Sequence, residues 1–147
     1  MLSNTCKYAI RAVLYLAINE SDSSKIGIKK ISETLNMPSP FLGKILQMLA
    51  KHKILISTKG PHGGFCLAKK PEDISLLDIV KIIDGLDFFN TCIIGVKICE
   101  GSKKKRAICP FHDKLDPLRD ELHKQFKDLT IGSFKNDLKS FEGIIAL

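Results

Sequence analysis

The 147-residue sequence has no apolar run near the roughly 20 residues that a bilayer-spanning helix needs. It contains no long internal repeat and no low-complexity tract. Met1 to Leu16 lacks the layout of an export signal, because Lys7 and Arg11 interrupt its apolar stretch and no small-residue cleavage site follows. No even set of cysteines is present either. The count is five, which argues against a disulfide framework and for a metal or redox role. The expectation is a cytoplasmic chain without a membrane span. A charged fraction of 27% and a mean hydropathy of +0.04 fit a folded globular chain rather than a disordered one. The length suits one domain, or a small domain with an appendage, and suffices to bury a core without cross-links.

Charge is unevenly placed. Residues 1–70 carry 11 Lys and Arg against 3 Asp and Glu, a balance of +8, whereas residues 71–147 carry 12 against 13. A lobe with such an excess suits duplex nucleic acid, through phosphate neutralisation and counterion release. The competing reading is a solvated surface tuned for solubility.

The first lobe has a recognisable order. Cys6 to Asn19 reads as a helix, with Ala9, Ile10, Val13, Leu16 and Ala17 on one stripe. A second, short helix runs from Ile28 to Asn36, and Asn36-Met37-Pro38 breaks it. Ser39 suits an N-cap and Pro40 a first helical position. The third helix then continues to about Lys51 on Leu42, Ile45, Leu46 and Leu49. Two short helices across a tight break form a helix-turn-helix pattern. Lys53 to Thr58 reads as a strand and Phe65 to Ala68 as a second, joined by Lys59-Gly60-Pro61-His62-Gly63-Gly64. A basic, Gly-rich hairpin directly after the helix pair is a wing, with Lys59 and His62 at its tip. The plainer alternative is an ordinary turn whose glycines serve only geometry.

Beyond residue 70, Ser75-Leu76-Leu77-Asp78 resembles a capping box with Asp in place of Glu, and Gly85 is placed to end that helix. About 20 residues of little regular pattern follow. Leu115, Leu118, Leu122, Phe126 and Leu129 then recur at spacings of 3, 4, 4 and 3, a narrow seam for packing on another helix. Such a seam faces either its own core or a second copy of the chain. Thr130 is placed to cap a last helix through Phe141. The expected fold is mainly α with a small β-hairpin wing. Residues 1–70 form the DNA-binding lobe, 71–112 a connecting helix and cysteine-containing loop, and 113–147 a dimerisation helix with a short terminal helix.

Cys92, Cys99 and Cys109 are separated by six and nine residues, and His112 stands three beyond the last. Three thiolates and an imidazole allow an iron–sulfur cluster or a Cys3His zinc site. Buried or adventitious cysteines are the bland reading. A thiol enzyme would need a Cys with a positioned His and an orienting group, and no nucleophile signature surrounds Cys109. No enzymatic activity is therefore expected. Cys6 and Cys66 read as core fillers, and His52 and His123 as surface residues.

Lys7-Tyr8-Ala9, the Ser39-Pro40-Phe41-Leu42 helix start, Lys59-Gly60-Pro61-His62-Gly63-Gly64-Phe65 and Ile74-Ser75-Leu76-Leu77-Asp78-Ile79-Val80 occur in that order, followed by the three-cysteine loop and a long helix. This series resembles the Rrf2 family of bacterial transcription regulators over nearly the whole chain. The resemblance implies a winged-helix homodimer whose long C-terminal helices cross at the two-fold axis. It also implies a [2Fe-2S] or [4Fe-4S] cluster in many members and none in others. By position, Cys92, Cys99 and Cys109 match the family's cluster cysteines. His112 matches the histidine ligand of the member that regulates iron–sulfur biogenesis. The nitric-oxide-sensing member uses an acidic residue of the first helix, and the matching Lys7 is a cation that cannot serve. The gap from Cys99 to Cys109 is longer than usual and holds Lys103-Lys104-Lys105-Arg106. In such a protein the helix bearing Ser39, Pro40, Phe41 and Lys44 enters the major groove. The wing residues Lys59, Gly60, His62 and Gly63 reach the backbone or the minor groove. One dimer would read two half-sites, so the operator should be roughly palindromic.

Overall fold

A hydrophobic stripe every three to four residues needs a partner surface, and in this chain the first helix supplies most of it. A computed structural model describes residues 2–19, 25–90 and 110–139. Helix α1 spans Asn4–Ile18. It starts two residues before the hydrophobic stripe suggests, because Ser3 caps it by accepting a hydrogen bond from the Cys6 N–H at 3.0 Å. Ala9, Ala12, Val13, Leu16 and Ala17 are all buried on it. Against α1 pack α3 (Ser39–Lys51) and β2 (Gly64–Leu67), with α2 (Ile28–Thr34) lying on α3 and β1 (Leu55–Thr58) paired antiparallel to β2. A 3-10 turn at Pro71–Asp73 leads into α4 (Leu76–Ile83) and the single-turn α5 (Asp87–Asn90). The later helices are α6 (Pro110–Asp128) and α7 (Ile131–Lys139). The architecture is mostly helical with one two-stranded hairpin, as the sequence pattern leads one to expect.

Two helix ends close in the same way. At the end of α2, the Met37 N–H donates to the Ser32 carbonyl at 2.9 Å and the Asn36 N–H to Glu33 at 3.3 Å. At the end of α3, Ile54 N–H donates to Leu49 at 3.0 Å and Lys53 N–H to Ala50 at 3.0 Å. Both are Schellman turns, which need one residue in the left-handed region. Asn36 occupies it at φ 50° and Lys53 at φ 59°. Asn tolerates this conformation well, whereas Lys gains nothing from it. The second turn also explains why β1 begins at Leu55, two residues later than its β-branched run suggests.

The helix α4 bears the capping box read from the sequence. The Asp78 N–H donates to Ser75 Oγ at 3.1 Å, and Asp78 accepts the Ser75 N–H at 3.1 Å. It ends before Gly85, which adopts φ +77°. Thr130 caps α7, with the Ser133 N–H donating to its Oγ1 at 3.1 Å. The Leu76 N–H donates to the Leu129 carbonyl at 2.9 Å and the Ile131 N–H to Ile74 at 2.8 Å. The α6–α7 joint is thereby tied to the segment ahead of α4. Residues 140–141, the expected end of that last helix, lie outside the described residues.

The main core joins Val13, Leu16, Ile31, Leu42, Leu46, Leu55, Phe65, Ile74, Ile79 and Ile131. A second, smaller cluster of Cys6, Val80 and Phe89 lies where α1, α4 and α5 meet, and Phe126 of α6 packs against it. Cys6 is fully buried, as expected of a core filler. Burial, and secondarily the charge of Asp84, pushes its thiol up from 9.0 to about 12. Cys66 departs from the same expectation. It is half-buried, because it pairs across the hairpin with Ile56, which is 48% exposed. His52 is exposed as expected. His123 instead is half-buried, its ring 5.2 Å from that of Phe89 in an edge-to-face contact.

Two expected outcomes follow. Lys53→Gly should raise stability by about 0.5–1 kcal/mol, read from urea midpoints, because glycine removes the left-handed penalty. A thiol whose pKa rises on folding keeps its proton after the unfolded chain has lost it. The Cys6 contribution is therefore complete below pH 9 and declines as the pH climbs toward about 12. Stability curves of wild type and Cys6→Ala should run parallel below pH 9 and converge above it.

Candidate nucleic-acid interface

The turn between α2 and α3 is fastened by side chains as well as by backbone. The buried Ser32 hydroxyl donates to the Met37 carbonyl at 2.6 Å and accepts from Ser39 Oγ at 2.8 Å. Pro38 occupies the N-cap position, so Ser39 and Pro40 open the helix proper, one position later in its numbering than the sequence suggests. Ser39 is half-buried and its hydroxyl proton is committed to Ser32. At the contact between the two helices, a Cβ on Gly43 would lie 3.2 Å from Ile28 Cδ1, so glycine permits their close approach.

With Leu42, Ile45, Leu46 and Leu49 buried, the opposite side of α3 is a solvent-facing row. It consists of Pro40, Lys44, Gln47 and Lys51, all exposed. Pro40 and Lys44 were candidates from the sequence. Gln47 and Lys51 were not, although a helical wheel at about 100° per residue puts them on the same line. Phe41 sits roughly a quarter-turn away from this row. It is 39% exposed, and its ring meets Tyr8 of α1 edge to face at 6.0 Å.

The hairpin stands beside this helix. Gln47 Nε2 donates to Ser57 Oγ of β1 at 3.3 Å. Lys59, Gly60, Pro61 and His62 are exposed at the tip and Gly63 is half-buried. The tip closes by the Gly63 N–H donating to the Gly60 carbonyl at 2.9 Å. Any Cβ on Gly63 would stand 2.2 Å from the Thr58 carbonyl oxygen, so only glycine fits. The base of the wing carries a contact that composition does not signal. Ile26 bridges Phe65, with N–H to carbonyl distances of 3.0 and 2.9 Å in the two directions. A Cβ on Gly64 would stand 2.6 Å from the Ile26 carbonyl oxygen, which explains the second glycine of the pair.

Among the described residues Arg119 pairs with Asp116, at 3.5 Å on α6. The lobe's lysines and arginines have no acidic partner there, and their charge is directed to solvent. Cys92, Cys99 and Cys109 lie outside the described residues. His112 falls on the first turn of α6. No group of three or more His, Cys, Asp or Glu suited to a metal occurs among the described residues. No helix among them is long and apolar enough to cross a membrane.

A helix pair with a solvent-facing second helix, followed by an exposed basic hairpin, defines a winged helix-turn-helix DNA-binding protein. Residues 2–137 match the model of the Rrf2 family, described as iron-dependent transcriptional regulators, and the chain belongs to that family. An HTH-type transcriptional regulator of Aquifex aeolicus (strain VF5) is 32% identical over 136 residues, 92% of each chain. The regulator IscR of Cronobacter sakazakii is 27% identical over 92% of this chain and 80% of its own. The fold is similar to that of CymR, the global cysteine regulator of B. subtilis. The TM-score is 0.74 at 19% identity, covering 92% of this chain and 96% of that one. T. potens IscR gives a TM-score of 0.72 at 20% identity, over 97% and 90%. The family and these relatives are transcriptional regulators rather than enzymes.

Gly63→Ala should distort the wing, lowering stability by about 1–3 kcal/mol through the clash with Thr58. Denaturant midpoints measure this, and an unchanged midpoint would mean that the hairpin tip relaxes freely.

Proposed function

We propose that this regulator works as a cytoplasmic homodimer on a roughly palindromic duplex operator. It reports redox, nitric-oxide or iron–sulfur status through a cluster held by Cys92, Cys99, Cys109 and His112. Residues 1–70 grip DNA, 71–112 sense, and 113–147 pair the protomers. The α3 row and the wing supply the contacts to DNA. Pro40, Phe41 and Lys44 sit along the groove, Ser39 anchors the start of the helix, and Lys59, Gly60, His62 and Gly63 form the wing's edge. The observation that carries the DNA reading is the exposure of Lys44 and Lys59 on adjacent elements without acidic partners among the described residues.

Pairing is supported by the division of the α6 seam. Phe126 and Leu129 pack into the protomer's own core, but Leu118 is 66% exposed and Leu122 37%. Two neighbouring leucines facing solvent on a helix whose other end is anchored suit a second copy of the same helix.

The donor set fits the proposed cofactor by its chemistry. Three thiols and one imidazole within 21 residues suit soft or borderline iron, and also zinc. When bound, a cluster supplies a redox- and gas-reactive centre. The chain's share is to deprotonate three thiols and to hold the loop's conformation according to the cluster's state. IscR-named relatives of this chain and the family's description as iron-dependent favour iron over zinc.

Anaerobically purified protein should be brown, contain iron and acid-labile sulfide, and retard duplex DNA in a gel. Cys99→Ala should bleach it. Colourless protein with stoichiometric zinc would replace the cluster by a zinc site. Metal-free protein that still binds DNA would leave a cluster-free regulator answering to a metabolite, a partner protein or thiol oxidation.

A further inference from the structure

Outside the α3 row and the wing, the Pro71–Asp73 turn, α4 and α6 together border an open cavity of about 540 Å³. That volume lies within the roughly 300–1,000 Å³ typical of small-molecule sites. Its walls are tied to one another by backbone. The Leu76 N–H donates to the Leu129 carbonyl at 2.9 Å, the Ile131 N–H donates to Ile74 at 2.8 Å, and Ser75 bridges Thr130. These bonds hold the walls in place without help from the side chains that line them.

The lining carries charge of both signs. Glu72 and Asp73 come from the turn, Asp78 and Lys81 from α4, and His123 and Lys127 from α6. Lys81 stands three residues after Asp78, a spacing at which opposite charges on a helix commonly meet. Yet among the described residues no ion pair joins these carboxylates and lysines. The capping box explains the setting of Asp78. Its Oδ2 accepts the Ser75 N–H at 3.1 Å and the Ser75 hydroxyl at 2.8 Å, and its Oδ1 has no partner among the described residues. Glu72 folds against Gly132, where an added Cβ would stand 2.9 Å from its Oε1. Leu77 and Leu86, both half-buried, add apolar surface. The three carboxylates and the imidazole do not form a metal-holding group among the described residues.

Unpaired charges of opposite sign around one hollow select their occupant. A dianion would meet three carboxylates and a diamine two ammonium groups, and like charges brought together cost affinity. A molecule with one charge of each sign satisfies both sets. We infer that the cavity binds a zwitterion of the amino-acid class with an apolar side chain. The ammonium group of that ligand faces Asp73 and Asp78, its carboxylate faces Lys81 and Lys127, and its side chain lies on Leu77 and Leu86. His123, whose ring is set 5.2 Å from that of Phe89, offers the ligand a further polar edge. None of these residues belongs to the proposed DNA contacts or to the cysteine donor set. The regulator therefore has an effector site that depends on neither.

The test is thermal melting and calorimetric titration of the full chain with L-leucine, L-methionine and L-phenylalanine. Each is matched by its counterpart without the ammonium group and its counterpart without the carboxylate; for leucine these are 4-methylpentanoate and 3-methylbutylamine. At about ten times Kd, at least one of the three amino acids should raise the melting temperature by about 3–6 °C. Removing either charge from that amino acid should weaken binding at least about tenfold. Lys81→Gln/Lys127→Gln should weaken it by a similar factor, and so should Asp73→Asn. All three positions are exposed, so the melting temperature of the ligand-free protein should stay unchanged. Lys124→Gln, at an exposed position of α6 outside the cavity, should leave the affinity unaltered. No melting shift with any of the three amino acids would overturn the site. So would equal binding by a single-charge counterpart, full affinity in the lysine double variant, or an equal loss in Lys124→Gln.

Discussion

The buried hydroxyl of Ser32 is the fastening on which the DNA-binding lobe depends. It donates to the Met37 carbonyl and accepts from Ser39, so one side chain joins the end of α2, the turn and the start of α3. A buried polar group without partners would cost on the order of 1–3 kcal/mol. Here its donor is satisfied and it accepts one hydrogen bond, both from residues on its own motif. The angle between the two helices is fixed by this bond pair, by the left-handed Asn36 and by the Gly43–Ile28 contact. The direction in which Lys44 and Gln47 face solvent follows from that angle.

Helix α1 plays a part that its place in the chain does not suggest. Its inner face belongs to the main core, beneath α3 and the hairpin. Its first turn belongs to the second cluster, with Cys6 against Val80 and Phe89. Asp84, at the end of α4, accepts from both the Ser3 N–H and its hydroxyl. The segment leading into the three-cysteine loop is thus packed on the same helix that braces Phe41.

Much of this was legible in the residues. The stripes of α1 and α3, the Ser75–Asp78 capping box, the Gly85 stop and the Thr130 cap are local patterns, and local physics decides them. The wing was readable because Gly63 and Gly64 have no sterically acceptable substitute. What escaped was non-local. The Ile26 bridge to Phe65 joins residues 39 apart, and nothing near Ile26 announces a strand. Ser39 reads as a cap, but Pro38 takes that position because the Ser32 network draws the Ser39 hydroxyl aside. Cys66 reads as a core filler because free cysteine usually is one, yet it stands on the outer face of a strand whose Phe65 and Leu67 are buried. The short α5 has no periodicity to detect in four residues. Its existence rests on Phe89 meeting His123 and Phe126, more than 30 positions later.

The seam of α6 is split between two tasks, with Phe126 and Leu129 turned inward and Leu118 and Leu122 turned out. The inward pair ties the C-terminal half of α6 to the protomer's own core, while the outward pair leaves two leucines of the same helix in water. A polar substitution at Leu118 or Leu122 would therefore leave the packed interior untouched, whereas one at Phe126 would reach it.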